Sequence, residues 1–167
     1  MATGEAGHAG PGRLTDLATL AAFPGRLASA ARAGSGRPVP DGEWTVEQVV
    51  RHLVAVETDV HQRRLHDLAT QTEPTWSWTE PGPWTGEPEL DLEGVLRRFA
   101  ALRKETLAIL GALDEAGWAR AGRHETFGRL DVAGLVRNAV DHDAQHLAGL
   151  GASPGQAAVP PRDRTGG

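Results

Sequence analysis

Four segments of the chain carry apolar residues at helical spacing, and no other feature limits the possible folds as strongly. The segments cover residues 14–32, 44–68, 90–113 and 131–147. Apolar side chains that recur every three or four positions share one face of a helix, and that face must be buried against a neighbour. One short, one long and one intermediate connection separate the segments. The pattern therefore predicts an all-α fold, a four-helix bundle.

Local signals place several helix boundaries. Thr45 is a predicted N-cap, and Gln48 three residues later completes a capping box. Asp131 is the predicted cap of the last helix, and the glycines in 149–151 are expected to end it. Pro24 lies inside the first segment, where the loss of a backbone hydrogen bond predicts a kink or a restart of the helix.

The stretches outside the helical segments are rich in glycine, proline or polar residues. Residues 1–12 and 151–167 lack periodicity, and we expect them to be flexible tails on either side of a single domain, residues 13–150. Residues 71–88 form a connection rich in proline and tryptophan, and loops of this length are uncommon and often functional. A polar stretch with glycines, residues 117–130, precedes the last helix.

Charge and composition argue against several classes of partner. The net charge is −5, which disfavours binding to nucleic acid or to an anionic membrane, since both need clustered Lys and Arg. No apolar run approaches the ~18 residues that cross a bilayer, and the N-terminus has no signal-peptide pattern. We therefore expect a cytoplasmic protein. The chain has no cysteine, so that His, Asp and Glu are the available metal ligands.

His142 and His146 form the strongest candidate for a metal-binding pair. At positions i and i+4 their side chains share one face of the last helix, with Cβ atoms about 6 Å apart. That spacing suits two imidazoles on one ion, although it also fits a pair of exposed helix histidines. Leu135 and Ala139 lie on nearly the same stripe, which favours the inward orientation.

His52 occupies the corresponding position on the second helix. Val49 and Val56 flank it by about one turn on either side, so His52 lies on the apolar stripe of its own helix. Three inward histidines on two helices would leave an open position on a metal ion, the pattern of catalytic zinc sites. We expect no fourth protein ligand.

The other four histidines are weaker candidates. His8 lies in the expected tail, and His61 and His66 are expected to be solvated because they are rotated away from the apolar stripe. His124 lies in the polar stretch before the last helix and is kept as a residue near the site.

The chain resembles a known family in five stretches. These are WTVEQVVRHL (44–53) with Glu57 just after it, LDVAGLVRNAVDHDAQHLAGL (130–150), RHETFGRL (123–130), FPGRL (23–27) and RPVPDGEW (37–44). Their order and spacing are similar to those of the DinB-like superfamily, which includes the YfiT-type metal-dependent hydrolases. The resemblance covers about residues 14–150.

The resemblance implies an up-down-down-up four-helix bundle of DinB/YfiT type that is often a homodimer. It also implies a divalent metal ion, zinc or nickel above others, held by His52, His142 and His146. The better-understood branches of the family are thiol S-transferases that use bacillithiol or mycothiol, and mycothiol-dependent maleylpyruvate isomerases. Other members are known as hydrolases or stress-associated proteins.

A metal-dependent thiol S-transferase acting on a small electrophilic substrate is the first functional hypothesis. Without cysteine, the protein would need a low-molecular-weight thiol as cosubstrate, activated at the metal. Asp59 and Arg63 are candidate catalytic residues on the His52 face, although either can equally be a solvated charge. Asn138, one turn before His142, and Asp143, which could orient a ligand imidazole, are further candidates.

Two alternatives remain open from the sequence. A hydrolase with water as nucleophile would need a general base, and no inward Glu is evident, since Glu57 is rotated off the His52 direction. A non-catalytic bundle that binds a small molecule or acts in stress resistance or sequestration is the third hypothesis. The candidates for a substrate lid, or for residues that only pin the loop, are Trp76, Trp78, Trp84 and His124.

Overall fold

The computed structural model of the chain describes residues 10–151. The predicted C-terminal tail, apart from Gly151, lies outside the described residues, as do His8 and residues 1–9 of the predicted N-terminal tail. Among the described helices, none combines the length and apolar character that crossing a membrane requires.

The chain forms a helical bundle with a small sheet at one side. The helices are α1 (Pro11–Gly34), α2 (Val46–Val56), α3 (Arg63–Thr70), α4 (Leu92–Gly111), α5 (Glu115–Ala119) and α6 (Val132–Gly151). A π-helical segment, Glu57–Gln62, joins α2 directly to α3. The strands are β1 (Thr75–Trp76), β2 (Ala121–His124) and β3 (Gly128–Asp131). Helix α1 packs against α4 and α6, and α2 packs against α4.

The predicted capping signals hold the start of α2 and of α6. The Thr45 side chain accepts a hydrogen bond from the Gln48 backbone at 3.2 Å, and the Gln48 side chain accepts one from the Thr45 backbone at 2.8 Å. Asp131 accepts from the backbone N–H of Gly134 at 2.8 Å. Both caps are as predicted, but α6 continues through Gly149 to Gly151.

Helix α1 differs from its prediction at two points. It begins at Pro11, inside the stretch expected to be a tail, where a proline loses nothing because the first N–H groups of a helix have no partner. It also continues through Pro24 without the restart that was one of the two expectations there, while the other, a kink, stays a prediction. Phe23 and Leu27, on either side of that proline, are both buried, so that tertiary packing holds the helix there.

The helices enclose two apolar clusters. One lies between α1, α2 and α4 and includes Phe23 and Phe99, whose rings meet edge to face at 5.7 Å. The other lies between α1, α3 and α6 and includes Leu20, Leu68 and Val136. The predicted core stripes of the four long helical segments are therefore largely buried, except that Leu14 and Ile109 are exposed, at 58% and 41%.

The sheet was not predicted. Strand β1 pairs with β2 in parallel, and β2 pairs with β3 in antiparallel fashion. Strands of two to four residues are too short to show a period-two pattern, so both stretches appeared irregular in the sequence. The sheet attaches the long connection after α3 to the stretch that leads into α6.

Candidate metal centre

His52 is oriented by a hydrogen bond to the loop between α3 and α4. Its ring is fully buried, and its Nδ1 donates to the carbonyl oxygen of Pro81 at 2.7 Å. A carbonyl can only accept, so the proton is on Nδ1 and the lone pair is on Nε2. Within residues 10–151 that Nε2 is buried and receives no hydrogen bond, since its neighbour Glu80 Oε1, 3.3 Å away, is a carboxylate oxygen that cannot donate.

His142 and His146 face His52 from α6. Their Nε2 atoms are 3.2 Å apart, and the His52 ring centroid is 5.5 Å from that of His142 and 4.8 Å from that of His146. The structure thus brings together the three histidines that sequence analysis selected. Burial, with the neighbouring His142 and His52, lowers the pKa of His146 to about 3, so His146 is neutral at pH 7, as a ligand must be.

Glu80 is a fourth donor that sequence analysis missed. One donor atom each from Glu80, His52, His142 and His146 lies within 4.8 Å of all the others. Glu80 Oε1 is 3.3 Å from Nε2 of His52 and 3.9 Å from Nε2 of His142. Contact with His142, then with His52, holds the pKa of Glu80 well below its usual range, so the carboxylate is ionised. The structure thus places a fourth candidate donor, which was not expected, beside the three histidines.

The donor set fits a divalent metal ion. Two nitrogens at about 2.0–2.1 Å from one ion, separated by a tetrahedral angle, lie about 3.3–3.4 Å from each other. The His142–His146 and His52–Glu80 distances, 3.2 and 3.3 Å, are close to that value. Imidazole with carboxylate suits zinc and other first-row divalent ions. The unpartnered Nε2 of His52 is also better explained by an ion than by an empty pocket, since a buried unpaired polar atom is costly.

Behind the histidines lies a buried ionic network that connects three helices. Arg103 of α4 donates to both oxygens of Glu57, at 3.0 and 2.9 Å, and to both oxygens of Asp143, at 2.8 and 3.2 Å. Thr106 donates to Glu57 at 2.6 Å. Both Asp143 oxygens accept from Arg103, and among the described residues Asp143 makes no hydrogen bond to a ligand imidazole, contrary to the prediction.

The network also includes the backbone carbonyl of Leu20, which has no helical hydrogen-bond donor because Pro24 lacks an N–H. Pro24 has no N–H for the carbonyl of Leu20, four residues earlier, and Arg103 donates to that carbonyl at 3.2 Å. The rings of Phe23 and Phe99 lie 5.5 and 5.0 Å from the guanidinium carbon. Arg103 thus serves as a hydrogen-bond donor to α1 as well as a counter-ion.

The network reaches the metal centre through His61. Burial raises the pKa of Glu57, but the hydrogen bond from His61 and the charge of Arg103 outweigh it and hold that pKa well below its usual range. His61 donates to Glu57 at 3.1 Å, and its ring lies 6.3 Å from that of His142. Since His61 is mostly buried, its expected solvation is wrong. The network therefore places two carboxylates and one guanidinium next to the donor group.

Asp59 and Arg63 do not belong to the donor group. Asp59 is exposed and accepts a hydrogen bond from Thr58, and the Arg63 side chain is 70% exposed and pairs with Asp67 at 3.2 Å. The π-helical segment Glu57–Gln62 has more residues per turn than an α-helix, so helical positions counted onward from His52 are rotated away from their predicted face.

Asn138 faces a small cavity beside the network. The cavity measures about 40 Å³, and the side chains of Leu20, Leu110 and Leu135 are among those that line it. The Asn138 amide nitrogen is buried and has no hydrogen-bond partner in the described part of the chain. His66 is exposed, as expected.

Of the three predicted lid tryptophans, Trp76 and Trp84 fix the loop to neighbouring residues, whereas the ring of Trp78 is exposed. The indole of Trp76 donates to Asp67 at 3.0 Å, and the backbone N–H of Trp84 donates to the Arg51 carbonyl at 3.1 Å, so both pin the loop. Trp78 is 48% exposed and stands 6.4 Å from the His124 ring.

His124 has a structural role in the turn between β2 and β3. Its Nδ1 accepts hydrogen bonds from the backbone N–H groups of Thr126 and Phe127, and burial lowers its pKa. Its ring lies 4.7 Å from that of Phe127.

Comparison with known proteins gives the family. Residues 16–150 match the model of the DinB superfamily. The chain belongs to the DinB superfamily. It is also similar in structure to YfiT from Bacillus subtilis, described as a probable metal-dependent hydrolase with an unusual four-helix bundle topology. The two share 23% identity and a TM-score of 0.63, over 81% of this chain and 82% of YfiT. Comparison with curated proteins gave no match. The predicted family and bundle fold are confirmed.

Proposed function

We propose that this DinB-superfamily protein holds one divalent metal ion with His52, His142 and His146 and transfers a low-molecular-weight thiol to a small electrophilic substrate. The observation that carries the proposal is the convergence of three imidazole nitrogens, one of them buried and unpartnered, in a chain with no cysteine. Zinc and nickel are the expected ions.

A bound divalent ion would lower the pKa of a coordinated thiol and orient it. The chain's own residues fix the orientation and the protonation state of the histidine ligands. Pro81 fixes the His52 tautomer, and burial keeps His146 unprotonated. In the reaction the thiol gives its proton to solvent and its sulfur forms a bond to an electrophilic carbon. An alkyl halide then loses halide with the bonding electron pair, whereas the oxygen of an epoxide or the second carbon of an activated alkene takes the electron pair and then a proton from solvent.

Hydrolysis is the second candidate, and Glu80 favours it. A hydrolase needs a base close to its nucleophilic water, and the Glu80 carboxylate lies at the donor group. The relative YfiT is described as a probable hydrolase. A non-catalytic binding role, the homodimer, the thiol cosubstrate and the cytoplasmic location remain predictions.

Turnover assays separate these functions. Zinc- and nickel-loaded protein is offered 2-mercaptoethanol with a panel of alkyl halides, epoxides and activated alkenes, and separately a panel of esters without thiol. We expect thiol-dependent turnover that is lost in His52→Ala and retained in His66→Ala, a matched change at an exposed histidine. Ester turnover without thiol would favour hydrolysis, and no turnover above the His52→Ala level in either panel would contradict both enzymatic functions.

A further inference from the structure

Two consecutive loop residues contact the two nitrogens of one histidine. The carbonyl of Pro81 accepts from Nδ1 of His52 at 2.7 Å, and Oε1 of Glu80 lies 3.3 Å from Nε2 of the same ring. The backbone of this loop orients the ligand, while its carboxylate lies where the ion would bind.

We propose that Glu80 is a displaceable fourth ligand, which closes the metal centre at rest and swings out when a thiol enters. This inference rests on the proposed metal centre, and it adds that Glu80 determines which ligands reach the ion. A four-ligand site is closed, as in structural zinc sites, whereas a three-ligand site is open, as in catalytic ones. Exchange of the Glu80 carboxylate would convert one into the other.

Differences in burial support displacement of Glu80 rather than of a histidine. The side chain of Glu80 is 46% exposed, whereas those of His52 and His142 are 0% and 21% exposed. The three histidines belong to α2 and α6, and Glu80 belongs to a loop. Apart from its imidazole contacts, the Glu80 carboxylate makes no hydrogen bond or ion pair with the residues that the structure describes.

The loop is anchored on both sides of Glu80, which restricts the movement to a short span. On one side the backbone N–H of Arg123 donates to the Pro74 carbonyl at 2.8 Å. On the other side the guanidinium of Arg51 donates to the carbonyls of Gly86 and Leu90 at 3.1 and 2.8 Å. The span between these anchors contains Glu80.

Two prolines restrict the backbone of the loop, so the Glu80 carboxylate can move away from the ion while the Pro81 carbonyl stays in place. Pro81 and Pro83 each fix their φ angle, and Pro81 also restricts the backbone of Glu80. Rotation about the side-chain bonds of Glu80 is therefore the least costly way to open the site. His52 would keep its hydrogen bond to Pro81, and with it the tautomer that binds metal.

The exchange would select for thiols. A soft thiolate competes with a carboxylate for zinc or cobalt more effectively than water or another carboxylate does. Glu80 would therefore exclude weak ligands from the ion and admit the cosubstrate class that the proposed function requires.

The test uses full-length protein loaded with Co²⁺, whose visible absorption reports its ligands. Metal affinity is measured by competition with a chelator for the wild type, Glu80→Gln, Glu80→Asp and Glu73→Gln. Glu73 is a matched control, because it belongs to the same connection, is exposed and pairs with Arg123. Circular dichroism checks that each variant is folded.

We expect Glu80→Gln to change the Co²⁺ spectrum and weaken binding at least about tenfold, the loss that follows even removal of a group supporting a ligand. Glu80→Asp keeps the charge but shortens the side chain, and is expected to alter the spectrum in the same direction. Glu73→Gln should match the wild type.

Acetate should perturb the Glu80→Gln spectrum at concentrations that leave the wild type unchanged, and 2-mercaptoethanol should bind Glu80→Gln at lower concentration than the wild type.

Wild-type affinity and spectrum in Glu80→Gln, with metal binding lost in His142→Ala, would overturn the role of Glu80 and leave the three-histidine centre in place. Unchanged metal binding in His142→Ala would instead contradict the proposed centre itself. A spectrum altered by Glu80→Gln but unaffected by 2-mercaptoethanol in either protein would overturn displacement by a thiol.

Discussion

Nδ1 of His52 donates a hydrogen bond to the carbonyl oxygen of Pro81, 2.7 Å away, so a loop carbonyl sets the tautomer of a core histidine. The bond directs the free nitrogen of His52 toward His142 and His146. A buried imidazole with its lone pair held in this way is ready to bind an ion without rearrangement, because the fold has already fixed its orientation.

Arg103 forms ion pairs with two buried carboxylates, and its removal should destabilise the fold severely. In Arg103→Met, Glu57 and Asp143 would lose their counter-ion while remaining in the core. Breaking a buried ion pair from one side costs about 3–5 kcal/mol. Urea denaturation should show a loss of that size, and Arg97→Met, at an exposed position of α4, should change stability little. A loss below about 1 kcal/mol would contradict the stabilising role of the network.

Glu57 should make stability sensitive to acid. Its pKa is lower in the folded protein than in the unfolded chain, so the unfolded chain binds the proton more readily. The contribution of Glu57 is therefore complete above about pH 4.3 and declines as the pH falls below that value. Urea denaturation from pH 3 to 6 should show a shallower decline for Glu57→Gln than for the exposed control Glu73→Gln. Parallel curves of unfolding free energy against pH for the two variants would contradict the lowered pKa of Glu57.

Gly122 is needed for the close packing of β2 against the loop. A Cβ there would lie 2.6 Å from the Pro74 carbonyl oxygen and 2.6 Å from the Trp76 ring. Gly122→Ala should therefore cost about 1–3 kcal/mol, as overpacking does. Gly111→Ala is the control, because its Cβ would meet nothing within 4 Å. Equal unfolding free energies for the two variants would show that the contact is not tight.

Replacement of Asn138 should make the fold more stable, and thiol-dependent turnover tests whether Asn138 also binds substrate. Its buried amide nitrogen has no partner in the described structure and faces a cavity of about 40 Å³ that leucines line together with polar side chains, among them Glu57 and Arg103. Asn138→Leu would remove the unpaired polar group and fill part of that space, and should raise stability by about 1 kcal/mol. If Asn138 binds substrate, thiol-dependent turnover falls in the same variant. A melting temperature below that of the wild type would refute the predicted gain in stability.

The bundle could be predicted because helical periodicity is a local property of the sequence. The spacing of His142 and His146 fixes their geometry in any helix, and the capping box of Thr45 and Gln48 marks a helix start without tertiary information. Glu80 could not be found in this way, since a loop has no period that relates its side chains to a helix face.

Two other features depend on tertiary structure. The π-helical segment after Val56 changes the rotation of every later residue of that helix, and nothing in residues 57–62 indicated it, so that Asp59 and Arg63 were placed on the wrong face. The burial of Glu57 depends on Arg103, 46 residues later. Charged residues in a helix pattern normally indicate a solvated face, and only the three-dimensional pairing reverses that expectation.

Calorimetric titration of metal-free protein with Zn²⁺ tests the central claim most directly. We expect one ion bound per chain in the wild type and in His66→Ala, and no stoichiometric binding in His142→Ala. Equal zinc binding by the wild type and His142→Ala would contradict the centre formed by His52, His142 and His146.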